Sequence, residues 1–140
     1  MDLGGIGSGS FGSVRLVQHR IADVDLGIYA LKRIPVGEGK PWLLKALTEA
    51  NVLSKLNHPN IVKYHHCWIE NINTAVNTDE CVEHLMLLLD YCRGGSLQNL
   101  KKPVLGRYLT NSEVANLMLQ AIAGLQHIHS LGILSRDVKP

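Results

Sequence analysis

The sequence is poor in cysteine and proline, and no apolar stretch in it is long enough to cross a membrane. Its 140 residues include 3 Cys and 5 Pro. So few and scattered cysteines do not form the disulfide framework of a secreted protein, so we expect a cytoplasmic location, with the nucleus possible. The longest purely apolar run covers residues 85–89, whereas a membrane helix needs about 20. We therefore expect a soluble protein with no membrane partner.

The sequence also lacks a strong charge of either sign and any compositional bias. The net charge is +2 and the basic residues form no run, so nothing in the composition indicates a nucleic-acid partner. A hydrophobic fraction of 46% is typical of a globular chain and excludes a disordered or low-complexity segment. The length corresponds to one domain or part of one.

Alternating apolar and polar residues in the first two thirds of the chain predict β-strands. The predicted strands are 13–18, 28–34, 61–69 and 85–89, with turn residues at 22–27 and a polar loop at 71–80. Apolar residues at helical spacing predict one helix over 41–56, with Pro41 in its first turn, where a missing N–H costs nothing.

The last third of the chain has the period of a helix. Thr110 and Glu113 form a capping box that predicts its start, and Gly132 predicts its end. Between them runs an apolar stripe: Val114, Leu117, Met118, Ala121, Ile122, Leu125 and Ile128. The order is a series of short β-segments with one helix among them and then a helical region, which is the pattern of an α+β fold.

A glycine-rich string, Gly7-Ser8-Gly9-Ser10-Phe11-Gly12, carries the first functional signal. Taken alone it is weak, because an ordinary hairpin turn can have the same composition. A dinucleotide-dependent oxidoreductase needs a helix directly after the glycines and an acidic residue about 20 positions later. A predicted strand follows here, and the residue 20 positions after Gly12 is Lys32. The string therefore favours a loop between two antiparallel strands that covers a nucleoside triphosphate.

Two further residues fit such a site. Ala30 and Lys32 share one face of the second predicted strand because side chains alternate with a period of two. Ala30 leaves room for a base, and Lys32 reaches phosphates. A single strand lysine is usually a solvated surface residue, but Glu49 follows seventeen residues later on the predicted helix.

These residues belong to a longer ordered set of motifs. The set comprises G-x-G-x-F-G-x-V at 7–14, Tyr29-Ala30-Leu31-Lys32, Glu49 before His58-Pro59-Asn60, the stretch 89–97 and Ser135-Arg136-Asp137-Val138-Lys139-Pro140. In motif and spacing it resembles the eukaryotic protein kinase family of Ser/Thr type over essentially the whole chain. Within the family, residues 41–45 and 66–70 resemble the initiation-factor-2 kinase branch and the fungal IKS-type kinases.

The resemblance implies an architecture and a nucleotide site. It implies a five-stranded antiparallel sheet with one helix as the small lobe at 1–89, a hinge at 90–96, and the start of an incomplete large lobe at 97–140. The implied ATP-binding residues are Ile6, Gly7, Ser8, Gly9, Ser10, Phe11, Gly12, Val14, Ala30, Lys32, Leu89, Asp90 and Cys92. Leu89 corresponds to the gatekeeper behind the adenine. Asp90 and Cys92 are expected to offer backbone groups to the base, so that their side chains matter little.

The resemblance also implies catalytic roles with ATP and Mg²⁺ as cofactors. Lys32 would hold the α- and β-phosphates and pair with Glu49. Asp137 would orient the hydroxyl of a protein Ser or Thr and accept its proton, and Lys139 would steady the γ-phosphate.

Two departures from the family pattern lead to a second hypothesis. Ser135 stands where the family usually has His or Tyr, and the sequence ends at Pro140, before the metal-binding Asp-Phe-Gly aspartate. We therefore expect a fragment that does not transfer phosphate alone, and the alternative is a truncated or pseudokinase module that binds ATP or a partner. No metal site is predicted within the chain, because neighbours such as His66 and Cys67 point to opposite faces of a strand.

Overall fold

The computed structural model describes residues 1–9, 12–36, 40–73, 81–97 and 108–134, with the backbone alone at 40–42, 45, 46 and 49. The chain divides into two compact units. The first unit contains Met1–Leu56 and Val62–Tyr91, and the second contains Asn57–Ile61 and Cys92–Pro140. The segment Asn57–Ile61 therefore belongs to the second unit although both of its neighbours in sequence belong to the first.

The first unit is built on one sheet, with its five strands in the order β1-β2-β3-β5-β4 and every neighbouring pair antiparallel. The strands are β1 (Asp2–Gly9), β2 (Gly12–Ile21), β3 (Val24–Pro35), β4 (Tyr64–Asn73) and β5 (Cys81–Asp90). Helix α1 (Lys40–Lys55) follows β3. The sheet confirms the predicted five-stranded antiparallel architecture, and α1 lies within one residue of its predicted bounds.

The core of this unit lies between α1 and one face of the sheet. Ile34 of β3, Leu85 and Leu87 of β5 and Ala50 of α1 form a cluster whose members are 0–4% exposed. Cys67 of β4 is half-buried and packs against this cluster. α1 thus covers the part of the sheet face that these residues occupy.

Tyr64 also packs against the cluster. Its hydrogen bond with Cys67, together with partial burial, raises the pKa of the Tyr64 hydroxyl to about 12. The Tyr64 hydroxyl therefore stays protonated at any physiological pH.

The two loops predicted inside the sheet are shorter than expected. The turn placed at 22–27 is a two-residue turn at Ala22 and Asp23, with Ala22 at φ 52, and β3 has already begun at Val24. The loop placed at 71–80 begins later, because Asn73 still pairs with Cys81 across β4 and β5. Residues 74–80 lie outside the described residues.

The strand predicted at 61–69 is also shifted in the structure. Residues 61–63 are not part of a strand, and β4 begins at Tyr64 and continues to Asn73. The difference has a long-range cause, since the bounds of β4 follow its pairing with β5 and the apolar pattern of residues 61–69 carries no information about that pairing.

Helix α2 (Asn111–Ser130) is the main element of the second unit, and its ends were both predicted correctly. Thr110 is the N-cap: its Oγ1 accepts from the backbone N–H of Glu113, and Glu113 Oε2 accepts from the backbone N–H of Thr110 at 2.8 Å. At the other end Gly132 has φ 71, its N–H donates to His129 O, and the N–H of Ile133 donates to Ile128 O. This is the Schellman pattern.

The short segment Asn57–Ile61 packs against α2 within the second unit. A Cβ at Gly124 would lie 3.0 Å from the carbonyl oxygen of Asn60, so a glycine permits the close approach. The rings of His58 and His127 stack with centroids 5.1 Å apart. Within the part of the chain that the structure describes, no helix is long and apolar enough to span a membrane.

Candidate nucleotide-binding site

The glycine-rich string includes the end of β1 and the start of β2. Gly9 pairs with Gly12 and Gly7 with Val14, so a strand and not a helix follows the last glycine. This excludes the dinucleotide alternative, which needs a helix there. Ser10 and Phe11, two of the predicted binding residues, lie outside the described residues.

The glycines of this hairpin have different structural requirements. Gly12 has φ +120, and a Cβ there would lie 2.0 Å from the carbonyl oxygen of Arg33, so the packing of β2 on β3 requires glycine. A Cβ at Gly9 would meet no atom within 4 Å. Gly9 is therefore not required by internal packing, which leaves its backbone open to the close approach of a ligand.

The strand register brings the predicted binding residues onto one face. Val14 of β2 pairs with Gly7 on one side and with Lys32 of β3 on the other. Ala30, two residues before Lys32 in β3 and on the same face, pairs with Leu89 of β5. Directly opposite residues of antiparallel strands point to the same face, with Cα atoms about 4.5–5.5 Å apart. Residues of four strands thus form two adjacent rows on this face: Gly7, Val14 and Lys32 in one row, and Ala30 and Leu89 in the other.

Lys32 lies on the face that α1 covers, because Ile34, two residues along β3, is part of the core cluster with Ala50. The structure describes the backbone of Glu49, the residue before Ala50, as helical. The pairing of Lys32 with Glu49 remains a prediction, since the side chain of Glu49 lies outside the described residues.

The remaining predicted residues of β1 are exposed. The side chain of Ile6 is 45% exposed, and Ser8 pairs with Ser13. By alternation along β2, Ser13 lies on the opposite face from Val14. Of the β1 residues, Gly7 is therefore the one that the register places in the row with Lys32.

The predicted hinge begins at the end of β5. Asp90 is the last residue of that strand and pairs with Tyr29 of β3. Cys92 belongs to the second unit, where its carbonyl oxygen accepts from the N–H of Gly95, which has φ 71. A turn over residues 92–95 thus lies within the predicted hinge.

One contact near this site, which involves His65, is not predicted by any sequence motif. Its Nε2 lies 2.6 Å from Oδ1 of Asp90, and the backbone N–H of Asp90 donates to the carbonyl oxygen of Lys63 at 2.9 Å. His65 stands at an irregularity of β4, between Tyr64 and His66. Because the contact joins residues 25 positions apart, no local pattern predicts it.

A charged cluster lies on the opposite face of the sheet. Asp2 accepts hydrogen bonds from Arg15 and from the N–H of Gly4, and Arg33 lies 3.5 Å from the same carboxylate. These hydrogen bonds, that of Arg15 first, hold the pKa of Asp2 below its usual value. Arg33 alternates with Lys32 along β3, so this cluster does not belong to the predicted nucleotide face.

The predicted catalytic residues Asp137 and Lys139 lie outside the described residues. Among the residues that are described, no three His, Cys, Asp or Glu side chains come together as a possible metal site. The three cysteines, all of which are described, are free.

Comparison with known proteins identifies a family for this fold. The sequence profile of the protein kinase domain matches residues 2–140. The chain is 38% identical over 96% of its length to a probable serine/threonine-protein kinase iksA of Dictyostelium discoideum. It is 36% identical over 96% of its length to the serine/threonine-protein kinase Nek11 of Macaca fascicularis.

A third relative is the interferon-induced, double-stranded RNA-activated protein kinase of Rattus norvegicus, which is 33% identical over 99% of the chain. The chain spans only part of each relative: 14% of the length of the Dictyostelium protein, 20% of the macaque protein and 27% of the rat protein. The match therefore concerns one domain region of larger proteins.

Proposed function

We propose that this chain, which belongs to the protein kinase family, contains the ATP-binding part of a protein Ser/Thr kinase. The reaction would transfer the γ-phosphoryl group of Mg-ATP to a Ser or Thr hydroxyl of a protein substrate. The single observation that supports this most strongly is the register that sets Gly7, Val14 and Lys32 in one row beside Ala30 and Leu89.

Each of these residues has a role that its chemistry suits. Backbone N–H groups of the glycine hairpin can approach phosphate oxygens without obstruction by side chains. Val14 and Ala30 offer small apolar surfaces for a flat base, with Leu89 beside them. Lys32 supplies a cation for the α- and β-phosphates, and Glu49 would orient it.

The residues beyond the described part complete the proposed reaction. Asp137 would accept the proton of the substrate hydroxyl, and Lys139 would neutralise charge on the γ-phosphate. Mg²⁺ commonly enters such sites bound to the phosphates of the nucleotide. The described residues provide no carboxylate cluster for it, so the proposal assigns no Mg²⁺ ligand among them.

The proposal includes the cell compartment and the kinase branch. We propose a cytoplasmic location, or a nuclear one, which the three free cysteines support. Similarity to an iksA protein supports an IKS-type relationship.

One observation favours a second candidate function. Ser135 stands where the family usually has His or Tyr, next to the proposed catalytic segment. A protein that binds ATP without transferring phosphate would be compatible with that departure.

The decisive experiment measures ATP binding and phosphoryl transfer on the complete native chain and on three variants. We expect Asp137→Asn to keep ATP binding and to lower kcat by about 10²–10⁴-fold, the usual contribution of a general base. Lys32→Met should abolish transfer with folding retained. Arg33→Met is the matched control, because Arg33 is the adjacent cation on the opposite face, and it should stay active.

The outcomes separate the two candidates. Transfer by the wild type that is lost in Asp137→Asn supports the kinase. ATP binding with no transfer above that of Asp137→Asn would establish the binding module instead, and Ser135→His would then show whether the departure at 135 is the cause.

A further inference from the structure

The side chain of Asp90, at the end of β5, makes a contact in addition to those of the backbone groups that are proposed to meet adenine. We call this contact, with His65, the anchor. Asp90, whose backbone is proposed to meet the base, makes two contacts near the start of β4, one with Lys63 just before the strand and one with His65 within it. Its backbone N–H donates to Lys63 O at 2.9 Å, and its Oδ1 lies 2.6 Å from Nε2 of His65. Its pairing with Tyr29 of β3 fixes the other side.

We propose that His65 is a positioning residue for base recognition. By holding the side chain of Asp90, it fixes the position of the hinge backbone groups that hydrogen-bond to the edge of the adenine. The proposal rests on the proposed ATP binding and concerns how that site selects its base. It also revises the expectation that the side chain at Asp90 matters little.

The ring of His65 is itself held in place. Tyr29 meets it edge-on, with ring centroids 5.0 Å apart and an interplanar angle of 85°. The Tyr29 hydroxyl donates to the carbonyl oxygen of Leu26 at 3.2 Å, so this neighbour is also fixed. His19 lies on the far side of Tyr29, with centroids 6.3 Å apart. These contacts limit the rotamers of His65 and direct its Nε2 to Asp90.

The local backbone explains how His65 reaches Asp90. Tyr64 pairs with Leu89 and His66 pairs with Leu88, so His65 is an extra residue in β4 at this point. Such an irregularity re-aims a side chain out of the regular alternation. It allows His65 to meet the last residue of β5, while Tyr64 packs into the core cluster.

The contact does not require one particular protonation state of the His65 ring. The Nε2–H tautomer of neutral imidazole and the imidazolium both donate to a carboxylate. The groups that face His65 are the carboxylate of Asp90 and the hydroxyl-bearing ring of Tyr29, with His19 beyond it. The proposal therefore concerns geometry, and its test does not depend on titration of His65.

The anchor acts on the base end of the site and not on the phosphate end. Asp90 pairs at Tyr29, whereas Lys32, the proposed phosphate ligand, is three residues further along β3. Recognition of a base edge by backbone groups depends on position within about 0.5 Å. Loosening the end of β5 should therefore weaken base recognition and leave phosphate binding unchanged.

The test compares two neighbouring histidines in the complete native chain. His65→Ala removes the anchor, and His66→Ala is the matched control, because His66 stacks on Trp68 with centroids 6.0 Å apart. Dissociation constants would be measured for ATP, GTP and inorganic tripolyphosphate. We expect His65→Ala to raise the Kd of ATP about three- to tenfold, within the range for the loss of a single ordinary hydrogen bond. Tripolyphosphate affinity, and all affinities of His66→Ala, should stay at the wild-type level.

Two more variants guard against a purely structural explanation. His65→Gln restores an N–H donor and should recover most of the ATP affinity. Asp90→Ala removes the acceptor of the same contact. Because the Asp90 side chain is 51% exposed, this substitution should leave the fold intact, and it tests the contact even if His65→Ala does not fold. The double variant His65→Ala/Asp90→Ala should bind ATP no more weakly than either single variant.

The results that overturn the proposal are distinct from those that overturn ATP binding itself. Equal losses for ATP and tripolyphosphate, or equal losses in His65→Ala and His66→Ala, would show that His65 supports the fold only. The folded wild type could also bind tripolyphosphate and bind neither ATP nor GTP more tightly than tripolyphosphate. That result would overturn the proposed nucleotide function, and this inference with it.

Discussion

The two units of this chain bury their apolar residues to very different degrees. Every buried apolar residue of the described part belongs to the sheet unit, and Leu85, Met86 and Leu87 are 0–1% exposed. In α2 the one buried residue is Gly124, and the apolar side chains of Val114, Met118 and Ile122 are 43–50% exposed. Both units contain the periodic apolar pattern of their secondary structure, but among the described residues that pattern forms a core in the first unit alone.

The difference separates two sources of structural information. The two ends of α2 are specified within a few residues, by the capping box at Thr110 and the Schellman turn at Gly132. The core of the sheet unit depends on pairs such as Ile34 with Leu85, which are far apart in sequence. Local signals thus define an element, whereas burial depends on its partners.

The largest expected effect is a core truncation in the sheet unit. Leu87→Ala removes a side chain that is 0% exposed, and we expect a loss of about 2–5 kcal/mol in the free energy of unfolding. Met118→Ala in α2, at 45% exposure, should change it by less than about 0.5 kcal/mol. Chemical denaturation of both variants checks this. Similar losses in the two would show that α2 is covered in solution, and the contrast between the units would fail.

A smaller effect is expected at the glycine hairpin. Gly12→Ala forces a Cβ against the backbone of Arg33 at a strained φ, which should cost about 1–3 kcal/mol. Gly9→Ala meets open space and should leave the stability unchanged. Thermal unfolding distinguishes the two. If Gly9→Ala were equally destabilising, the hairpin glycines would serve packing alone, and their proposed role with phosphates would lose support.

The smallest effect is expected at the start of α2. Thr110→Ala breaks the capping box and should lower helix stability by about 1 kcal/mol. Ser112→Ala is the control, since its hydroxyl contacts Thr110 Oγ1 and no backbone N–H at this helix start. Hydrogen exchange of the α2 amides measures the change. Unaltered exchange would mean that packing, and not the local cap, determines where α2 begins.

The sequence therefore predicted some features of this molecule much better than others. It predicted the strand after Gly12, the bounds of α1 and both ends of α2, because each depends on neighbours in sequence. It misplaced β4 by three residues at its start, because that bound depends on β5.

The candidate site shows the same division. The glycines, Ala30 and Lys32 were recognisable from their spacing, and the register then brought them together. The contact of His65 with Asp90 was not recognisable, because it needs both a strand register and an irregularity in β4. Asp137 and Lys139 stay predictions from motif resemblance.

The segment Asn57–Ile61 has a consequence for the way the polypeptide can be divided. It is covalently part of the connection from α1 to β4, yet it supplies the Asn60 carbonyl oxygen that lies close to Gly124 of α2. No single cleavage of the polypeptide can therefore yield both units complete. A cut after Tyr91 would leave α2 without Asn57–Ile61. The sheet fragment would keep this five-residue segment but would lack the helix against which it packs.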